Sequence, residues 1–267
     1  VTGAASGVGN ALAQKCLDEG MNVVLADIEE AALQRAAEAI AHGRNTVLPV
    51  QTDVSVLEEI EALAARAISE FGAVHLLFNN AGVGSSPGLL NGSHADWEWV
   101  MSVNLWSVIH GMRVFCPIMV EQGTEGHIVN TASMSGLVYG DGAYGVTKHA
   151  VVALTESAHF ELAAIDSKIK VSALCPGWVN TNILDSSRHR QARFGPPRRV
   201  IADEEQIRLT ERAREGVAQG MDPSELADIV FDHIEREQLY ILTHDDFNEA
   251  ASERTATILG GTNPTTD

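Results

Sequence analysis

Cysteine is scarce. Only Cys16, Cys116 and Cys175 occur in 267 residues, and they stand far apart. Without a Cys-x-x-Cys pair or a Cys/His cluster, neither a disulfide framework nor a metal site is expected, and the thiols read as small buried hydrophobes. Positive charge is short too. Eighteen Lys and Arg face 36 Asp and Glu, for a net charge of −18. Such a chain repels phosphates and anionic lipid, so no nucleic-acid partner and no membrane partner is expected. The sequence offers no signal peptide and no apolar run that reads as a membrane span, and a cytoplasmic location is the expectation. Aromatic residues make up 5% of the chain, while 45% hydrophobic and 20% charged content is ordinary for a globular protein.

What is present is punctuation. The chain opens VTGAASGVGN, with Gly3, Gly7 and Gly9 ahead of the helix-like ALAQKCLDEG. Strand-like and helix-like segments then alternate. MNVVLAD, NTVLPVQTD, VHLLFNNAG, GHIVNTAS, KIKVSALCPG and QLYILT read as strands. IEEAALQRAAEAIAHG, closed by Gly43, reads as a helix, as does SVLEEIEALAARAISEFG, with Ser55 as N-cap and Glu58 completing a capping box. A long helix runs through HADWEWVMSVNLWSVIHGMRVFCPIMVEQG, and others through GAYGVTKHAVVALTESAHFELAAI, PSELADIVFDHIERE and DDFNEAASERTATILGG. This alternation predicts a Rossmann-like α/β fold, a doubly wound parallel sheet with helices on both faces. The length suits a single domain over 1–267. From Asn182 to Gly220 the pattern weakens, and a substrate lid is expected at about 182–220.

Glycines in the opening turn let the backbone bend sharply and approach a pyrophosphate, which the N-terminus of the following helix would hold. Ser6 and Val8 lie in the same turn. Asp27 ends the second strand, where a carboxylate accepts from the adenosine ribose hydroxyls and repels a 2′-phosphate. NAD is therefore expected over NADP. A turn of this kind follows a strand in the middle of such a sheet, yet only Val1 and Thr2 precede it. The first strand is expected to be largely missing from the given chain, with roughly 5–12 further residues upstream.

Tyr144 and Lys148 stand four residues apart, on one face of a helix. A phenol is a poor base near neutrality, and an ammonium beside it stabilises the phenolate. The pair suits proton transfer to or from a substrate oxygen. Ser133 ends a strand where ligands bind in open α/β sheets, with Ser135 as its rival. Asn104 sits mid-helix and needs partners if buried. His110, His149 and His159 read as structural or solvated, and Trp97, Trp99 and Trp106 as packing.

In this order the motifs resemble the short-chain dehydrogenase/reductase family over nearly the whole chain: TGAASGVG, Asp53-Val54, NNAG, YGVTK and PGWVNT. The resemblance implies a catalytic set of Asn104, Ser133, Tyr144 and Lys148. Asn104 would hold a relay water near Lys148, and Lys148 would also bind the nicotinamide ribose. Asp53, Val54, Asn80, Ala81 and Gly82 would line the adenosine side. Pro176, Gly177, Val179 and Thr181 would hold the nicotinamide. The Ser133-to-Tyr144 spacing is shorter than in many members, which shortens the loop LVYGDG. The implied reaction is hydride transfer between NAD(H) and a secondary alcohol or ketone, by a homodimer or homotetramer. An NAD-binding sensor or scaffold, and an epimerase or dehydratase using NAD transiently, are the alternatives. The pattern NILDSSRHR, with LYILTHDDF later, resembles members acting on bulky or aryl alcohols. Arg188, Arg190, Arg193, Arg198 and Arg199 in the expected lid invite a carboxylated substrate, or else form a solvated face or subunit contact.

Overall fold

The computed structural model describes residues 1–41, 45–197 and 204–264; Gly43, Arg198 and Arg199 lie outside these. Helix α1 (Gly7–Asp18) leads to β1 (Val23–Asp27), α2 (Glu30–Ile40), β2 (Val47–Gln51), α3 (Leu57–Phe71) and β3 (Leu76–Asn79). Next come α4 (His94–Met101), a π-helical turn at Ser102–Trp106, α5 (Ser107–Gln122), β4 (Gly126–Thr131) and α6 (Gly142–Ala164). The chain ends with β5 (Ile169–Cys175), α7 (Glu204–Ala218), α8 (Pro223–Glu235), β6 (Tyr240–Leu242) and α9 (Asn248–Gly260).

All paired strands are parallel, in the orders β1-β2 and β3-β4-β5-β6. Val1 and Thr2 hold the slot between β1 and β3. Thr2 N–H donates to the Phe78 carbonyl at 3.0 Å, and Ala26 N–H donates to the Val1 carbonyl at 2.9 Å. The chain order reverses across this slot, which is where a doubly wound sheet opens a ligand crevice at its carboxyl edge.

Successive strand residues point to opposite faces. Ala26, Leu77, Ile128 and Ala173 join one core cluster, with α3, α4, α5 and α6. Their neighbours Leu25, Phe78, Val129 and Leu174 join the other, with α1, α2 and α8. Each fully buried large apolar side chain stabilises the fold by about 1.5–3 kcal/mol, so both helical layers are held against the sheet.

Three expectations need correction. Helix α3 begins after Val56 with no side-chain cap, because Ser55 instead donates its N–H and hydroxyl to Asp53. The stretch where the pattern weakens nonetheless contains a regular helix, α7, whose charged residues hide its apolar positions. Trp106 is 47% exposed, its ring lying 5.7 Å from that of His110 on the surface rather than in the core. The helical run His94–Gln122 is long and apolar enough to cross a membrane. Within the fold, its Trp99, Val100, Val108, Phe115 and Met119 are buried in the core.

Candidate active site

One cleft of about 900 Å³ opens along the carboxyl edge of the sheet. Every residue expected to bind cofactor lines it: Gly3, Ser6, Gly7, Val8, Gly9, Asp27, Asp53, Val54, Asn80, Ala81, Gly82, Tyr144, Lys148, Pro176, Gly177, Val179 and Thr181. Of the remaining catalytic candidates, Ser133 lines it and Asn104 lies behind its wall.

The opening turn is built to leave donors bare. Gly3 and Gly7 take φ of 66° and 55°, which side-chain-bearing residues rarely adopt. A Cβ on Gly9 would lie 2.2 Å from the Gly3 carbonyl oxygen, so only glycine lets α1 pack onto the turn. Ser6 stands at the N-cap but makes no side-chain cap, and the first turn of α1 has no acidic residue. The first N–H groups of α1 are thus open to an anion, and the cradle fits a dinucleotide pyrophosphate. The Asp27 carboxylate is fixed at the end of β1 by the N–H groups of Ala5 and Glu29, each at 3.0 Å.

The NNAG segment braces this turn. Thr2 Oγ1 accepts from the N–H of Asn80 at 2.9 Å and of Ala81 at 3.0 Å, and Asn80 Nδ2 donates to the Thr2 carbonyl. Behind it, Asn79 Nδ2 donates to Asn130 Oδ1, and Asn130 Nδ2 donates to Thr155 Oγ1, closing a buried polar chain between sheet and α6. Gly177 N–H donates to His244 Nδ1 at 3.1 Å, tying the segment after β5 to the C-terminal segment.

Helix α6 carries Tyr144 and Lys148 into the cleft. Lys148 is 3% exposed, its Nζ donates to the Thr131 carbonyl at 2.9 Å, and it stands 5.4 Å from the Tyr144 ring centroid. Desolvation lowers its pKa to about 8. Burial pushes the Tyr144 phenol up to about 12, with the Ser133 hydroxyl pulling the other way. Ser133 Oγ accepts from Ser135 N–H at 3.1 Å and donates weakly to the Pro176 carbonyl at 3.4 Å. Thr131, which no motif marked, fixes the lysine.

Asn104 sits in the π-helical turn and is fully buried. Its Oδ1 accepts from Val83 N–H at 2.8 Å and its Nδ2 donates to the Val83 carbonyl at 2.9 Å. Each end of the amide thus takes a partner on Val83, and the side chain clamps the loop after β3. A π-turn at this position is typical of functional sites.

Three arginines after β5, Arg188, Arg190 and Arg193, face the protein's own acids. Arg190 pairs with Asp96 at 3.0 Å, both nearly buried, and lies 5.2 Å over the Trp99 ring. Arg193 pairs with Asp53 at 3.0 Å. Arg188 and His189 approach Glu29 at 3.8 and 3.6 Å. Arg188, Arg190 and Arg193 are therefore committed within the protein, and the contacts of His189 and Gln191 at the cleft were invisible in sequence.

A glycine turn opening onto an uncapped helix, an acidic strand end and a tyrosine–lysine pair in one cleft define a dinucleotide-binding oxidoreductase. Residues 1–192 match the family model for short chain dehydrogenases, and the chain belongs to the short-chain dehydrogenase/reductase family. It is 32% identical over 262 residues to a CLA biosynthesis dehydrogenase/reductase of Lactiplantibacillus plantarum, covering 97% of this chain and 92% of that protein. It is 39% identical over 188 residues to 3beta-hydroxysteroid dehydrogenase 2 of Eggerthella lenta, covering 68% and 71% of the two chains. Among solved structures, a short chain dehydrogenase/reductase from Burkholderia phymatum in complex with NAD superposes with a TM-score of 0.95 at 39% identity, covering 100% of this chain and 95% of that one.

Proposed function

We propose that the protein catalyses reversible hydride transfer between a secondary alcohol or ketone and NAD(H), with Tyr144 as general acid/base. The observation that carries this reading is the Tyr144–Lys148 pair, held on one helical face inside the cleft with Ser133 opposite. The dinucleotide supplies the hydride-accepting ring. In the oxidative direction the substrate hydroxyl gives its proton to the Tyr144 phenolate oxygen while hydride leaves the carbinol carbon. In reduction the same phenol returns the proton to the new alkoxide. Ser133 orients the substrate oxygen, and the Lys148 ammonium favours the phenolate. Asn104 supports the site by holding Val83, and its amide keeps one further acceptor and one further donor position for a relay water near Lys148.

Asp27 favours NAD over NADP, because its fixed carboxylate repels a 2′-phosphate. The segment after β5 together with α7 serves as the substrate lid. Trp99, Val103, Trp178, Leu209, Ala213 and Val217 in the cleft wall suit a bulky apolar substrate, in keeping with the hydroxysteroid enzyme among the relatives. The outward side chains Trp106, Val146 and Phe160 support a homodimer or homotetramer. Steady accumulation of NADH with a panel of bulky secondary alcohols tests the reading. A sensor or scaffold gives none, and neither does an epimerase or dehydratase that returns its hydride. Faster turnover with NADP than with NAD would overturn the cofactor preference.

A further inference from the structure

The parallel register of β6 with β5 pairs Leu242 with Cys175, so two residues further on His244 stands opposite Gly177. The imidazole lies against the backbone there. A Cβ on residue 177 would sit 2.7 Å from His244 Cγ and 2.8 Å from Phe247 Cε2, so only glycine leaves room for the ring.

The partners of the ring fix its tautomer. Nδ1 faces two donors, the Gly177 N–H at 3.1 Å and the Thr243 hydroxyl at 2.7 Å. Nε2 faces the Trp178 carbonyl at 3.0 Å, which can only accept. The ring therefore carries one proton, on Nε2. One side chain thus holds the N–H of Gly177 and the carbonyl of Trp178, two residues that line the cleft.

The Pro176–Gly177 peptide is gripped from both sides. Its N–H goes to His244. Its carbonyl accepts from Met134 N–H at 2.9 Å and, weakly, from the Ser133 hydroxyl at 3.4 Å. We infer that His244 is a positioning residue for the reaction: by holding this peptide it sets the direction of the Ser133 hydroxyl in the cleft. The inference rests on the hydride-transfer reading above, in which Ser133 orients the substrate oxygen. It gives a part in the chemistry to a segment that lies beyond residues 1–192, the span that matches the family model.

The test compares His244→Asn, His244→Leu and His244→Gln. Asn and Leu share a shape, but Asn Oδ1 replaces the Nδ1 acceptor for Gly177 and Leu offers none. Gln keeps a donor for the Trp178 carbonyl and gives up the acceptor for Gly177. His244→Leu and His244→Gln are expected to lower kcat for a bulky secondary alcohol by about tenfold, because a displaced orienting group is costly in rate. His244→Asn is expected to stay within about twofold of the wild type, since the hydrogen bond to Gly177 survives. Hydrogen exchange at the Gly177 amide, which needs no substrate, should quicken in His244→Leu and stay slow in His244→Asn, with β5 unchanged in both. Thermal unfolding of all three shows whether kcat merely follows stability. Equal kcat in His244→Asn and the other two variants, or rates that track stability alone, overturns the inference and leaves the hydride-transfer reading standing. A Gly177 amide that exchanges no faster in His244→Leu than in the wild type overturns it too. A wild-type protein that turns over no alcohol overturns both.

Discussion

Lys148 Nζ donates to the Thr131 carbonyl at 2.9 Å while standing 5.4 Å from the centre of the Tyr144 ring. A backbone carbonyl, rather than a carboxylate, positions the ammonium. No ion pair neutralises it among the described residues, so its charge is left to act on the phenol.

Replacing that phenol is therefore expected to remove the chemistry without removing the site. Tyr144→Phe should lower kcat by about 10²–10⁴-fold, the usual worth of a positioned acid/base. The dissociation constant for NADH should change by less than about threefold, because the turn at Gly3–Gly9 and Asp27 are untouched. Steady-state kinetics and fluorescence titration check the two halves separately.

The pH dependence should differ between directions. Ketone reduction consumes the Tyr144 proton, and with the phenol raised to about 12 that proton is in place throughout the neutral range. Reduction is expected to be level near neutrality and to fall above about 8, where Lys148 loses its charge. Oxidation needs the phenolate, so its rate is expected to climb with pH through the neutral range. Profiles of kcat/KM in both directions test this, and Lys148→Met should remove the break near 8.

His127 sets an acid limit on stability. It is buried in β4, and its Nε2 lies 2.6 Å from Ser172 Oγ, which itself donates to the Gln238 carbonyl. Ser172 therefore accepts from His127, so the ring carries its proton on Nε2. Burial lowers the His127 pKa from 6.5 to about 4. Between these values the unfolded chain binds more protons than the folded one, so stability falls as pH falls below about 6.5, and the loss is complete near 4. The full effect is about 3 kcal/mol. Denaturant titrations across this window should show the slope, and His127→Gln should flatten it.

The Arg190–Asp96 pair should govern how tightly the segment after β5 is held. Arg190→Met removes the cation facing the nearly buried Asp96 carboxylate and is expected to cost about 3–5 kcal/mol. Amide exchange over Ile183–Phe194 should quicken while that of β3, β4 and β5 does not. Thermal unfolding and hydrogen exchange measure the two effects.

The parallel sheet was legible because alternation sends Leu77 and Phe78, or Ile128 and Val129, into opposite cores, leaving near-continuous apolar runs. Tyr144 and Lys148 were legible because their four-residue spacing becomes a shared helical face. Helix α7 was not, since charged residues break up its apolar stripe. The anchoring of the segment after β5 was hidden for a different reason. Arg193 and Gln191 meet Asp53 across about half the length of the chain, and no local pattern marks such a meeting. The π-turn at Asn104 was equally silent, because its amide is satisfied by Val83 from another loop.

The most direct measurement is NADH formation from NAD and a bulky secondary alcohol, run side by side with wild-type protein and Tyr144→Phe at matched cofactor occupancy. The hydride-transfer account predicts sustained accumulation of reduced cofactor by the wild type and essentially none by the variant. Undiminished turnover by the variant, or no turnover of any alcohol by a wild-type protein saturated with NAD, would contradict it.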